Sequence, residues 1–293
     1  MPIGKDTLKT AKKAIQQYFA NSARSVYKET DLYALLRTER LRWRIAPSTG
    51  GSRFVDFLVS SGILREVKLE SESYASKRRF VREKTTAYEV ALSLATGGYL
   101  SHGTAVFLHG LNEQIPKTIH VNREQRPKAT SEGGLVQKRL DLAFAGRQRT
   151  SKYVFKFGSE RVVLLNGKHT GRFEVEEIEG PSGEHLVVTS VGRTLVDIAV
   201  RPGYAGGISQ VLEAYMGARE NVSGEKILNI LKSLDYMYPY HQSIGFLLER
   251  AGYPERDVAP FRIPRIEFDF YLLHGMRERE YDAEWRLFYP KRL

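Results

Sequence analysis

Residues 37–64 hold the side chains with the clearest chemistry. Four arginines, Arg37, Arg40, Arg42 and Arg44, run into a turn rich in Pro, Gly and Ser, and a short helical stretch follows that closes at Gly62. A guanidinium is a rigid, permanently charged fork of donors that matches phosphate oxygens or the N7 and O6 edge of guanine. At roughly 100° per residue, Ser52, Arg53, Asp56 and Ser60 share one arc of about 100°. Phe54, Phe57, Leu58 and Ser61 lie opposite, with Val55 and Val59 between them. A helix that lies in a DNA major groove needs this division: a buried back that fixes its angle, and short or forked polar groups in front. An ordinary amphipathic helix with a solvated face has the same pattern, so the surroundings decide.

The charge is distributed unevenly. The 293 residues carry a formal net charge of +11, which favours a polyanionic partner. Residues 1–85 hold 18 Lys+Arg against 9 Asp+Glu, a balance of +9, whereas residues 86–293 hold 27 against 25. The basic character therefore belongs to the stretch that contains the arginines. The length fits two domains, and 42% hydrophobic with 11% aromatic residues is ample for packed cores.

Helical spacing of Leu8, Ala11, Ile15 and Tyr18/Phe19 predicts a first helix. Thr30 or Asp31 is placed to cap a second, with Leu32, Leu35 and Leu36 on its buried side. The helix after Pro47 is the third. Residues 63–69 and 77–83 read as strands joined by the polar residues 70–76. Three helices and a hairpin give the order of a winged helix-turn-helix over residues 1–85. Lys77, Arg78 and Arg79 on the returning strand are candidates for phosphate contact, although charges also blunt exposed strand edges.

Residues 86–293 read as one mixed α+β domain. Residues 87–96 and 102–109 have the pattern of two apolar helices, the second capped by Ser101 and ended by Gly110. Residues 90–112 contain no Asp, Glu, Lys or Arg, but Gly97-Gly98 divides them into two buried helices in place of a membrane span. Runs at 118–121, 136–144, 153–157, 161–165, 172–177 and 185–190 read as strands. Helices are expected at 192–200, 208–219, 224–234 and 242–251, then a late strand within 261–272 and a basic tail at 285–293.

Several chemistries lack their residues. The absence of cysteine excludes disulfides, Cys-based zinc sites and a thiol nucleophile. It fits a reducing cytoplasm, where the chain is expected, and residues 1–6 lack the apolar core of a signal peptide. No Walker A loop, Gly-x-Gly-x-x-Gly, His-Glu-x-x-His or Gly-x-Ser-x-Gly occurs. Gly51-Ser52 and Gly158-Ser159 are not followed by the acidic pair of a nucleotidyltransferase. Asp141, Glu174 and Glu176 supply acids on β-like segments for a metal-dependent nuclease, without the accompanying lysine. His102 and His109 lack an evident third metal ligand. No catalytic residue, metal or cofactor is expected.

Tyr99-Leu-Ser-His-Gly-Thr-Ala-Val-Phe-Leu-His-Gly-Leu111, Ile115-Pro116 and Thr118-Ile-His-Val121 resemble the opening of the C-terminal domain of AbiEi-type antitoxins. Val188-Thr-Ser-Val-Gly-Arg-Thr-Leu-Val-Asp197, followed by Gly206-Gly207, resembles a later part of it. The resemblance implies a DNA-binding repressor and antitoxin of a type IV toxin–antitoxin, abortive-infection pair. Its expected partners are double-stranded operator DNA with inverted repeats and, functionally, a nucleotidyltransferase-like toxin. Such a chain would be a monomer or weak dimer with two copies on DNA; no motif marks toxin-facing residues. The run 37–44 and its following turn are longer than the family's usual spacing. A metal-dependent nuclease with a winged-helix targeting domain, or a ligand-sensing transcription factor, are the alternative readings.

Overall fold

The computed structural model describes residues 7–127 and 134–293. The expectation for residues 1–6 and part of the 123–134 loop lie outside them. The chain divides into two compact units, Met1–Thr96 with Tyr153–Val162, and Gly97–Lys152 with Val163–Leu293. Both combine helices and sheets, an α+β chain.

The first unit opens with α1 (Thr7–Asn21), whose Leu8, Ala11, Ile15 and Phe19 are buried at the expected spacing. Strand β1 (Val26–Tyr27) leads to α2 (Glu29–Glu39), which buries Leu32 and Leu36. The cap of α2 differs from expectation. Lys28 stands at the N-cap, and Asp31, already inside the helix, accepts its backbone N–H at 2.8 Å. After α3 (Gly51–Ser60), β2 (Arg65–Leu69) and β3 (Lys77–Val81) form an antiparallel pair, with β1 on the other side of β3. Helix α4 (Ala87–Leu92) closes this part. It belongs to the first unit because Glu89 accepts from Ser25 Oγ, and Arg79 Nε donates to Ser93 Oγ at 2.9 Å. The boundary accordingly follows residue 96 and not residue 85.

The second unit begins with β4 (Tyr99–Leu100), α5 (Gly103–Leu108), β5 (Thr118–Glu124) and α6 (Gln137–Ala145). Strands β6 (Val154–Phe157) and β7 (Glu160–Gly167) follow, β6 and the start of β7 lying in the first unit. Then come β8 (Val175–Glu179), β9 (His185–Thr189) and helices α7 (Val191–Val200), α8 (Ile208–Ala218), α9 (Gly224–Leu234), α10 (Tyr240–Arg250) and α11 (Glu255–Val258). Short strands β10 (Phe270–Tyr271), β11 (Arg279–Asp282) and β12 (Leu287–Pro290) end the chain. The main sheet of this unit runs β7-β5-β4-β9-β8; β4 pairs antiparallel with β5 and parallel with β9, and β8 pairs antiparallel with β9. Helix α7 is buried from Gly192 to Ala199 and packs among α5, α8, α9 and α10.

Several elements differ from the sequence pattern. Residues 136–144, read as a strand, form α6: Leu140 and Phe144, one turn apart, are buried, while Leu142 is 70% exposed. Helix α5 begins after His102, which sits in a left-handed conformation at φ 53°, and Ser101 does not cap it. Its hydroxyl lies 2.9 Å from His102 Nδ1. The expected strand at 172–177 starts only at Val175, because Arg172 and Glu174 are left-handed and shape a turn. Of 261–272 only Phe270 and Tyr271 are extended as a strand. The supposed tail is core: Trp285 is fully buried and β12 is the middle strand of the last sheet. Among the described residues no helix is long and apolar enough to cross a membrane.

Arg193 and Asp197 form a buried ion pair inside α7, Nε to Oδ1 at 2.9 Å. Arg193 also donates to Phe173 O at 2.8 Å, tying the helix to the turn before β8. Burial pushes the Asp197 carboxyl up, against the pull of Arg193. Removing one partner leaves the other charge buried alone. Asp197→Ala is therefore expected to cost the second unit about 3–5 kcal/mol in urea denaturation, and the paired change Arg193→Met with Asp197→Leu clearly less. Burial, aided by Arg193 and Arg201, lowers His102 to about 3, and burial lowers His241 to about 4. Both rings stay neutral in the folded chain below their ordinary titration near 6.5, so the unfolded chain binds the extra protons there. The stability they contribute is complete above pH about 6.5 and declines as pH falls towards 3. A His102→Gln variant should show a shallower decline in denaturation midpoints over that window.

Candidate nucleic-acid interface

Helix α3 is held by contacts on three sides. Phe54, Val55 and Leu58 are buried, and the Phe54 ring lies 5.9 Å from Trp43. At its start, a Cβ on Gly51 would come within 2.5 Å of the Tyr33 ring, so only glycine lets α3 approach α2 this closely. Tyr33 donates to Glu29 at 2.7 Å, and its hydroxyl lies 3.3 Å from Ser52 Oγ. At its end, Gly62 adopts φ 72°, with Gly62 N bonded to Val59 O and Ile63 N to Leu58 O. This left-handed glycine stop is the expected one.

The face left outward is the expected one as well. Ser52, Arg53, Asp56 and Ser60 are all exposed, while Phe57 and Val59 flank them half-buried. Ser60 Oγ donates back to Phe57 O at 3.3 Å.

The four arginines divide into different roles. Residues 40–44 wind off the end of α2: Ile45 N bonds to Arg40 O and Arg44 N to Leu41 O, with Arg44 left-handed at φ 53°. Arg40 is half-buried; its guanidinium donates to Ala46 O and, at 2.8 Å, to Thr49 O. It shapes the turn that delivers α3, which removes it from the phosphate-gripping set. Arg37, Arg42 and Arg44 are exposed, and Arg42 lies 3.3 Å from Glu39. Arg37 is one turn beyond Tyr33 on α2, on the side that meets α3.

The hairpin cations also separate. Lys77 is exposed. Arg78 pairs with Glu66 at 2.6 Å and with Glu29 at 3.5 Å, so its charge is largely matched. Arg79 is 6% exposed and bonds Ser93 Oγ, Ser93 O and Arg78 O; burial pulls its pKa down. A buried, three-fold bonded guanidinium is structural, and the expectation of phosphate contact by Arg79 is corrected accordingly. In the observed register it faces the unit's interior opposite Val67.

Two of the acids of the nuclease alternative, Asp141 and Glu174, bond within the fold, while Glu176 is exposed. Asp141 accepts from Gln137 at 2.7 Å and Tyr271 at 3.0 Å, and Glu174 accepts from Ser190 at 2.6 Å. His109 Nε2 lies 2.6 Å from Thr189 O. Among the described residues no three His, Asp or Glu side chains are grouped to hold a metal ion.

No family model matches the chain, and no curated protein matches it. Among solved structures, it is similar to the RV2827C protein from Mycobacterium tuberculosis, with a TM-score of 0.58 and 13% identity, over 95% of this chain and 91% of that one. At that identity the likeness is one of fold.

Two substitutions test how α3 is held. Gly51→Val forces the Tyr33 ring aside and should destabilise the first unit by about 1–3 kcal/mol. Arg44→Gly relieves a left-handed residue and should stabilise it by about 0.5–1 kcal/mol. Denaturant midpoints read both, and opposite signs are expected.

Proposed function

We propose that this chain is a DNA-binding transcriptional repressor and the antitoxin of a type IV toxin–antitoxin pair, as its AbiEi-type resemblance implies. In this reading the first unit is a winged helix-turn-helix, α3 is its recognition helix and β2–β3 its wing. The second unit is the antitoxin-type domain that counteracts a nucleotidyltransferase-like toxin. The chain acts in the cytoplasm without catalysis, metal or cofactor. The observation that carries the reading is the outward face of α3: Ser52, Arg53, Asp56 and Ser60 exposed, over a back buried on Trp43 and Tyr33.

The chemistry assigns separate tasks. Arg53 presents a fork for guanine O6 and N7, Asp56 accepts from cytosine N4, and Ser52 and Ser60 are short enough not to hold the helix off the bases. Arg37, Arg42, Arg44 and Lys77 grip phosphates, which gives affinity and orientation but little sequence choice. An inverted-repeat operator takes two copies, one per half-site.

A ligand-sensing transcription factor has one observation in its favour. A hollow of about 310 Å³ in the second unit is lined by Leu228, Leu231, Tyr236, Tyr238, Tyr240 and His241 among others. His241 Nε2 is buried there without a hydrogen-bond partner. Operator release by a small molecule, abolished in His241→Phe, would favour that reading over the antitoxin one.

The test is binding of the full chain to double-stranded DNA from upstream of its own gene. Arg53→Ala should weaken binding by about 1–3 kcal/mol while toxin neutralisation in cells survives. Lys77→Ala should reduce the slope of log K against log salt by about 0.9. Arg79→Ala should lower stability and leave that slope unchanged. Affinity indifferent to both Arg53→Ala and Lys77→Ala would refute α3 and the wing as the reading head.

A further inference from the structure

Residues Tyr153–Val162 belong to the first unit although more than fifty residues separate them from its other part. Strand β6 and the start of β7, linked through Gly158-Ser159, meet the tip of the β2–β3 hairpin. Glu70 and Lys156 exchange both backbone bonds, N to O at 3.0 and 2.7 Å. The Tyr74 and Tyr153 rings stack with centroids 4.2 Å apart and planes 14° from parallel. Lys156 Nζ reaches Glu72 at 2.9 Å, and Lys68 pairs with Glu70 at 2.8 Å. Three residues of the tip, Glu70, Glu72 and Tyr74, are thus engaged by protein.

The contact has a physical reason. In the order β1-β3-β2, strand β2 is an edge, and an unpaired edge invites pairing by another chain. Beyond Leu69 the ladder with β3 ends, since Leu69 pairs with Lys77. The seven residues of 70–76 would otherwise be a free loop with several accessible conformations. A free wing must be ordered when it meets DNA, and that ordering subtracts from affinity.

We propose that Tyr153 and Lys156 are positioning residues for the wing: they hold residues 70–76, and through them Lys77, in the conformation that meets phosphate. The inference rests on the DNA-binding reading above. It makes the reading head discontinuous, completed by residues that lie in the second half of the sequence. The two charge pairs also leave the tip itself nearly neutral, so Lys77, where the returning strand leaves the tip, carries the contact.

The test uses the full chain, the upstream DNA fragment and backbone hydrogen exchange. Combining Tyr153→Ala with Lys156→Glu should speed exchange across residues 70–76, the Glu70 amide included. It should weaken DNA binding about three- to tenfold, as expected for losing one ring stack and one surface pair. Tyr153→Phe, which keeps the ring and loses only its hydroxyl bond to Tyr74, should stay closer to wild type in exchange and affinity than Tyr153→Ala. Exchanging the charges, Lys156→Glu with Glu72→Lys, keeps the net charge and should restore what Lys156→Glu alone loses. Faster exchange at unchanged affinity would overturn the proposal, since the clamp would then serve the fold alone. Lost affinity at unchanged exchange, or without rescue by the charge exchange, would overturn it in favour of direct phosphate contact by Lys156. If the wild-type chain fails to bind the upstream DNA, the functional reading falls and takes the inference with it. If wild type binds and the double variant binds equally well, only the role of the hairpin falls.

Discussion

The close approach of Gly51 to the Tyr33 ring is the constraint on which the first unit depends. A helix can read base edges only if its angle to the rest of the domain is set, and an angle is set by packing at its ends. Here the start of α3 is pressed on α2 through a residue without a side chain, and its middle is pressed on Trp43 through Phe54. Arg40 holds the intervening turn by its carbonyls. Each of these contacts holds the helix from behind, and Ser52, Arg53, Asp56 and Ser60 stay exposed in front.

The same economy of position explains which cations remain outward. A guanidinium that satisfies backbone carbonyls, as Arg40 and Arg79 do, is part of the scaffold. Of the candidate phosphate-gripping cations, those left outward lie on α2, on the turn after it and where β3 leaves the hairpin tip. In the second unit the corresponding anchor is the Arg193–Asp197 pair, buried in a helix that touches most of its neighbours. Removing either member of such a pair leaves the other charge buried alone, so the two stand or fall together.

Much of this was legible in the sequence where periodicity and stop signals agree. The face of α3 and its end at Gly62 follow from residue spacing, as do α9 and the buried faces of α1 and α7. Legibility failed where two periods compete or where distant segments meet. Leu140, Leu142 and Phe144 satisfy both a strand and a helix pattern over so short a run, and tertiary packing of Leu140 and Phe144 chose the helix. Trp285 near the chain end looked like a tail because nothing local reveals that it fills the space beside Gly245, where a Cβ would collide with its ring. Arg79 was misplaced for a similar reason, and the run at 153–157, read as a strand, lies in the first unit. Their partners, Ser93 and Glu70, are chosen by the fold and not by neighbours in the chain.

The central claim is that the front of α3 faces bases. A photoreactive residue placed at Ser60 in the full chain, with a second at exposed Glu176 in the second unit as control, tests it most directly on upstream double-stranded DNA. The account predicts cross-links from position 60 to bases, suppressed by specific competitor and weakened by salt. Cross-links from position 176 with none from position 60 would contradict it.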